Sequence, residues 1–182
     1  MSKVLVPLAQ GCEEMEAITI TDLLVRAGIE VTTASLDDEI VTASRGTNIL
    51  ADTNINNVLD ISYDLIVLPG GLPGADHLRD NEKVQSLLKK HASENKWIAA
   101  ICAAPKALAQ AGLLENRTAT GYPGMLASLN LPNTTIKDSA IEIDGNIITS
   151  RGPGTTMDFA LTLIEKLEGK EKRDEVNAQL VR

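Results

Sequence analysis

Cysteine and histidine are scarce, with two of each in 182 residues. Cys12 and Cys102 allow at most one disulfide, and neither lies in a paired metal-ligand spacing, so both read as reduced thiols and no metal site is expected. A basic excess is missing as well: 17 Lys and Arg against 25 Asp and Glu leave a formal charge of −8. That balance disfavours lasting attraction to nucleic-acid phosphates or anionic membranes. Long apolar runs are absent, and the opening Met-Ser-Lys leads into a stretch too short for a signal core or a membrane helix, so a cytoplasmic protein is expected. There is no dinucleotide fingerprint and no phosphate loop, and Gly70-Gly71 alone does not suggest a nucleotide. No cofactor is expected. Without internal repeats, low-complexity tracts or a long linker, residues 1–182 read as one domain, and 43% hydrophobic residues suffice for its core.

What is present is an alternation of strand-length apolar segments with helical patterns, the layout of a parallel sheet covered on both faces. Strands are expected at Val4–Leu8, Ile29–Ala34, Leu65–Leu68, Trp97–Ile101, Ala140–Ile143 and Ile147–Thr149. Ile20, Leu23, Leu24 and Ala27 keep helical spacing within 13–27, and Gly28 supplies a left-handed stop. Ile40–Ala43 and Thr47–Leu50 flank Ser44-Arg45-Gly46 as a hairpin. Further helices are read from Val84, Leu87, Leu88 and His91, from Pro105 onward, from Ala160, Leu163, Ile164 and Leu167, and around Glu171–Leu180. The expected fold is α/β, a three-layer sandwich with a mostly parallel central sheet. Ligands in such sheets bind at the carboxyl ends of the strands, which brings Pro69-Gly70-Gly71 and Cys102 to one rim.

Cys102 stands between a strand and a helix, with Ala100, Ala103 and Ala104 small enough for a sharp turn. A helix start lowers a thiol pKa, so a reactive thiolate is expected; an inert small hydrophobe in an Ala-rich strand end fits the same pentapeptide. A second cluster, Glu13-Glu14-Met15-Glu16, opens the first helix. Acids there complement the helix dipole, yet three of them exceed that need. Glu13 and Glu16 share a face, so either could press a carboxyl against the thiol and, with a raised pKa, donate a proton. Spacing does not choose between them.

Four separated blocks, Leu8-Ala9-Gln10-Gly11-Cys12-Glu13-Glu14-Met15-Glu16, Val67-Leu68-Pro69-Gly70-Gly71, Ala99-Ala100-Ile101-Cys102-Ala103-Ala104-Pro105 and Thr149-Ser150-Arg151-Gly152-Pro153-Gly154-Thr155, together resemble the ThiJ/PfpI superfamily. The similar subgroup is that of the human parkinsonism-associated deglycase and its bacterial ThiJ-like relatives. The resemblance runs over essentially the whole chain and implies a flavodoxin-like fold, a homodimer, a reactive cysteine at Cys102 and a partner glutamate at Glu16. It also implies an oxyanion pocket made by the amides of Gly71 and Ala103, with Arg45 and Arg151 close enough to bind an anionic group or to brace the hairpin or the dimer.

One departure stands out. Many relatives carry a histidine after the cysteine or before a loop proline, where this chain has Ala103 and Tyr122. His77 and His91 belong to no motif, so a Cys-His peptidase is disfavoured. The implied activity is cofactor-independent handling of methylglyoxal and related dicarbonyls, or repair of their early adducts on glycated proteins. The alternative is an oxidative-stress sensor or redox-regulated chaperone acting through oxidation of Cys102.

Overall fold

The computed structural model describes residues 1–37 and 40–182. Strand β1 (Lys3–Leu8) is followed by helix α1 (Glu14–Arg26), β2 (Glu30–Ser35), the short strands β3 (Ile40–Thr42), β4 (Asn48–Leu50) and β5 (Thr53–Asn54), and then β6 (Leu65–Leu68). Next come α2 (Gly74–Asp80), α3 (Glu82–Ser93), β7 (Trp97–Ile101) and α4 (Pro105–Gln110). After the short strands β8 (Thr118–Ala119) and β9 (Thr135–Ile136), the chain ends with β10 (Ile141–Asp144), β11 (Ile147–Ser150), α5 (Thr156–Glu168) and α6 (Lys170–Gln179). Gly28 adopts φ +78°, the left-handed stop that its position after α1 requires.

Seven strands form the central sheet in the order β10-β11-β7-β6-β1-β2-β5. Among the described residues only the β10–β11 hairpin is antiparallel in it; the other pairings are parallel. The alternation of strand residues decides which core each side chain enters. Val4, Val6, Leu8, Leu65 and Val67 pack with Ile20, Leu23, Leu24, Phe159 and Ile164 of α1 and α5. Leu5, Ile66, Leu68, Ile98 and Ala100 pack with Leu78, Leu88 and Leu108 of α2, α3 and α4 on the opposite face. The central strands are therefore apolar on both sides, as a sheet between two helical layers demands.

From β1 the chain leaves to one side towards β2, and it later returns to the other side as β6. The strand order reverses there, and the crevice opens at the carboxyl ends of β1 and β6. The β1–α1 loop follows β1, the Pro69-Gly70-Gly71 turn follows β6, and Cys102 follows β7 beside it. The expected hairpin is present as β3 paired to β4, with Gly46 at φ +96° in its turn. Among the described residues no helix is long and apolar enough to cross a membrane.

Candidate active site

Cys102 leaves β7 with its amide bonded to the Ser150 carbonyl at 3.0 Å and its backbone at φ +63°. A residue bearing a Cβ is strained there by about 1–3 kcal/mol, which its surroundings must hold in place. The carbonyl of Cys102 accepts from the Tyr122 amide at 2.8 Å, which docks the 122–125 loop over the site. The sulfur's residue is 7% exposed and lies in the wall of a cavity of about 580 Å³. Glu13, Ser44, Arg45, Gly71, Leu72 and Tyr122 are among its other lining residues.

The three acids of the first helical turn take three different tasks. Glu13 caps α1, accepting from the Glu16 amide at 2.8 Å, and also lines the cavity. Glu14 clamps the β3–β4 turn through the Ser44 hydroxyl at 3.0 Å and the Arg45 amide at 2.9 Å. Glu16 is fully buried, and its Oε2 accepts from the Gly70 amide at 2.7 Å. The Cys102 thiol lies against the same carboxyl, whose Oε1 is buried without an aligned hydrogen-bond partner among the described residues. Of the two acids that spacing left open, Glu16 is the one that geometry brings to the sulfur.

Burial raises the Glu16 carboxyl to about 7, although the Gly70 amide and the thiol pull it down; the charge of Glu13 adds to the rise. Burial also pushes the Cys102 thiol up to about 12, helped by the charge of Glu16 and its hydrogen bond. The amides of Gly71 and Ala103 both point at the sulfur and oppose that rise. The expectation that the helix start alone gives a low thiol pKa is therefore corrected. A thiol this enclosed, beside a carboxylate, resists ionisation. Two anions in contact are not tolerated together, so the pair keeps at least one proton across the neutral range. Wherever Glu16 holds that proton, the charge opposing the thiolate is gone.

The remaining residues divide. Arg45 is exposed at the cavity rim, and its guanidinium forms no ion pair among the described residues. Arg151 does not line the cavity: its guanidinium donates to the Asp138 carbonyl and braces the loop before β10. Cys12 is fully buried, and burial, then the charges of Glu14 and Glu13, push its thiol up to about 12. His77 contacts the Gln10 carbonyl at 2.9 Å through Nδ1, and His91 is buried on α3; neither lines this cavity. Among the described residues no cluster of three or more His, Cys, Asp or Glu is placed to hold a metal ion. The sequence reading missed the Gly70 amide as the partner of Glu16, although the Pro-Gly-Gly turn was the available signal.

The sequence matches the DJ-1/PfpI family over residues 2–166. It is 46% identical over 180 residues to Protein DJ-1 homolog A of Arabidopsis thaliana, covering 98% of this chain and 46% of that protein. The chain thus spans about half the length of that relative. It is 34% identical over 163 residues to the glutathione-independent glyoxalase DJR-1.2 of Caenorhabditis elegans, covering 90% of this chain and 87% of that one. The structure of oxidized Toxoplasma gondii DJ-1 superposes with a TM-score of 0.95 at 42% identity, covering 100% of this chain and 98% of that chain.

Proposed function

Because the chain belongs to the DJ-1/PfpI family, we propose that it is a cofactor-independent glyoxalase or deglycase-type enzyme acting on methylglyoxal, related dicarbonyls or their early protein adducts. The single observation that carries this reading is Cys102 held between the buried Glu16 carboxyl and the Gly71 and Ala103 amides at the wall of an open cavity. The C. elegans relative is named a glutathione-independent glyoxalase, which supports the same class.

The steps balance without an external oxidant. With the pair's proton on Glu16, the Cys102 thiolate adds to the aldehyde carbon, and the new oxyanion forms between the two amides. Glu16 gives its proton to that oxygen, completing a hemithioacetal. The carboxylate then removes the hydrogen of the former aldehyde carbon as a proton and returns it to the neighbouring carbon, while the hemithioacetal hydroxyl proton passes to the ketone oxygen, so that the ketone becomes an alcohol and the hemithioacetal a thioester. Water cleaves the thioester, releasing the 2-hydroxy acid and the thiol. A cavity of about 580 Å³ exceeds what a three-carbon dicarbonyl fills, which leaves room for an adduct on a larger molecule. We further propose a cytoplasmic homodimer that binds neither nucleic acid nor membrane stably. Met15, Ile18 and Val25 support the dimer as an exposed apolar stripe on α1.

The test is product analysis with purified protein and methylglyoxal. Wild type yields lactate, Cys102→Ser none, and Glu16→Gln yields it about a hundredfold to ten-thousandfold more slowly. A wild type with no turnover ends the enzyme reading. The second reading, an oxidation sensor or redox-regulated chaperone, is favoured by the cavity access of Cys102 against the full burial of Cys12. Under mild peroxide it requires Cys102 to gain oxygen well before Cys12, read by mass spectrometry of the intact chain.

A further inference from the structure

The two amides that point at Cys102 belong to different segments. Gly71 precedes α2, and its carbonyl accepts from the Ala75 amide in the first turn of that helix at 2.9 Å. Ala103 precedes α4, and its carbonyl accepts from the Lys106 amide in the first turn of that helix at 3.3 Å. Helices α2 and α4 pack together, and one ion pair crosses between them. Lys106 Nζ meets Asp76 Oδ1 at 2.8 Å, with the lysine side chain only 11% exposed. Asp76 is the residue after Ala75. The link therefore closes a ring that runs from the Gly71 amide through Ala75, Asp76 and Lys106 to the Ala103 amide, with the sulfur at its opening.

A lysine in the first turn of a helix opposes the helix dipole, so its place is not explained by the stability of α4. Burying most of its length also costs side-chain freedom. Both costs are understandable if the pair fixes the separation of the two segments. We infer that Lys106 and Asp76 are positioning residues, which set the two backbone donors at the distance that stabilises negative charge at the Cys102 site. This rests on the reading that those amides support the thiolate and the oxyanion.

The geometry distinguishes positioning from a through-space charge effect by sign. If Lys106 acted on the sulfur through its charge alone, Lys106→Met would disfavour the thiolate, and Asp76→Asn, which removes a negative charge, would favour it. If the pair acts by position, both substitutions loosen the donors and both disfavour the thiolate. Asp76 keeps Arg79 at 3.1 Å when Lys106 is replaced, so its carboxylate is not left unpaired and Lys106→Met is expected to fold.

The experiment is the rate of iodoacetamide alkylation at Cys102 against pH, followed on the peptide that contains it, with a thermal melt of each variant. Lys106→Met and Asp76→Asn should each slow alkylation at pH 7 by about threefold to tenfold, the scale of one weakened hydrogen bond, and displace the pH profile upward. Lys106→Arg should retain most of the wild-type rate. Opposite displacements for the two variants, or unchanged profiles in folded variants, overturn the inference while leaving the Cys102–Glu16 reading intact. A wild-type Cys102 that stays unalkylated in the folded protein at every pH, although it reacts in urea, overturns both together.

Discussion

The Gly70 amide donates to Glu16 Oε2 at 2.7 Å, and the absence of a side chain on Gly70 is what lets the glutamate reach the cysteine. A methyl group on Gly70 would stand 2.6 Å from Cys102 Cβ, 2.8 Å from Glu16 Oε2 and 2.9 Å from the Ile101 carbonyl. None of these three can move freely, since one sits in the strained turn after a central strand, one is fully buried and the third is backbone. Gly70→Ala should cost about 1–3 kcal/mol of stability through overpacking. It should also slow methylglyoxal turnover by about a hundredfold, because a displacement near 1 Å between reacting groups is enough for that. Urea unfolding and initial rates check the two parts. An alanine variant with wild-type rates would mean that the close approach of the two side chains is not required.

Glu16 carries a pH signature in stability that is independent of any substrate. Its carboxyl is raised from 4.5 to about 7 by burial, so the folded state holds the proton more tightly than the unfolded chain. The stabilisation is complete below about pH 4.5 and is lost as pH rises through 7. The full loss amounts to about 3 kcal/mol. Glu16→Gln lacks the titration, so the variant should gain on the wild type steadily between those limits. Urea midpoints measured from pH 4.5 to 8 would show the two curves converging on the acid side. Parallel curves would mean that the carboxyl is not desolvated.

His91 should produce the opposite limb. Its imidazole is pushed down to about 4, first by burial and then by the Lys96 charge, while Glu94 and Asp64 work against the shift. Among the described residues its Nε2 and the Tyr63 hydroxyl are both buried without a hydrogen-bond partner, and the two residues line one small cavity of about 70 Å³ with Asp60, Lys90, Glu94 and Lys96 around it. With a folded pKa below the unfolded value near 6.5, the neutral ring contributes stability above pH 6.5 that is lost as pH falls towards 4. That loss is about 3 kcal/mol, and His91→Gln should remove it. Because the two windows overlap between about pH 4.5 and 6.5, the two trends largely offset each other in the wild type, and each is read as a difference from its own variant. Chemical denaturation of the variant from pH 7 to 4 is the check, and an unchanged acid limb would reject the assignment.

The main elements were legible because burial on both faces of β1, β6 and β7, and on one face of α1, α3 and α5, leaves a clear periodic record in the sequence. Strands β5, β8 and β9 were not legible: two residues cannot display a period, and their pairing partners are set by tertiary contacts. Helix α2 escaped for a related reason, since its seven residues begin with Gly-Ala-Asp and bury only Gly74, Ala75 and Leu78. At the site, the turn around Cys102 could be read from its small neighbours. Glu13 and Glu16 could not be separated, because three residues along a helix place both on one face. The difference arises when the Glu13 carboxyl turns back to cap the Glu16 amide and Gly70 receives the other acid. The thiol pKa was misread because a helix-start rule carries no information about a buried carboxyl supplied by a distant segment.

Arg45 and Arg151 looked equivalent in sequence, and the structure gives them different tests. Glu14 fixes the turn that carries Arg45 by accepting from its amide at 2.9 Å, so the backbone of Arg45 is set at the cavity rim before any ligand arrives. Its exposure limits what one charge contact there can contribute. Arg45→Met should therefore raise KM about twofold to fivefold for a dicarbonyl that carries a carboxylate, with kcat little changed and neutral methylglyoxal hardly affected, which is the pattern of lost uniform binding. The difference between the two substrates should shrink as salt is raised. Arg151→Met removes the brace to the Asp138 carbonyl, so it should lower the melting temperature without altering KM for either substrate. Initial rates with both dicarbonyls at two salt concentrations decide the matter: equal KM changes for the charged and neutral substrates, or a KM change in the Arg151 variant, would show that the rim arginine does not read the substrate's charge.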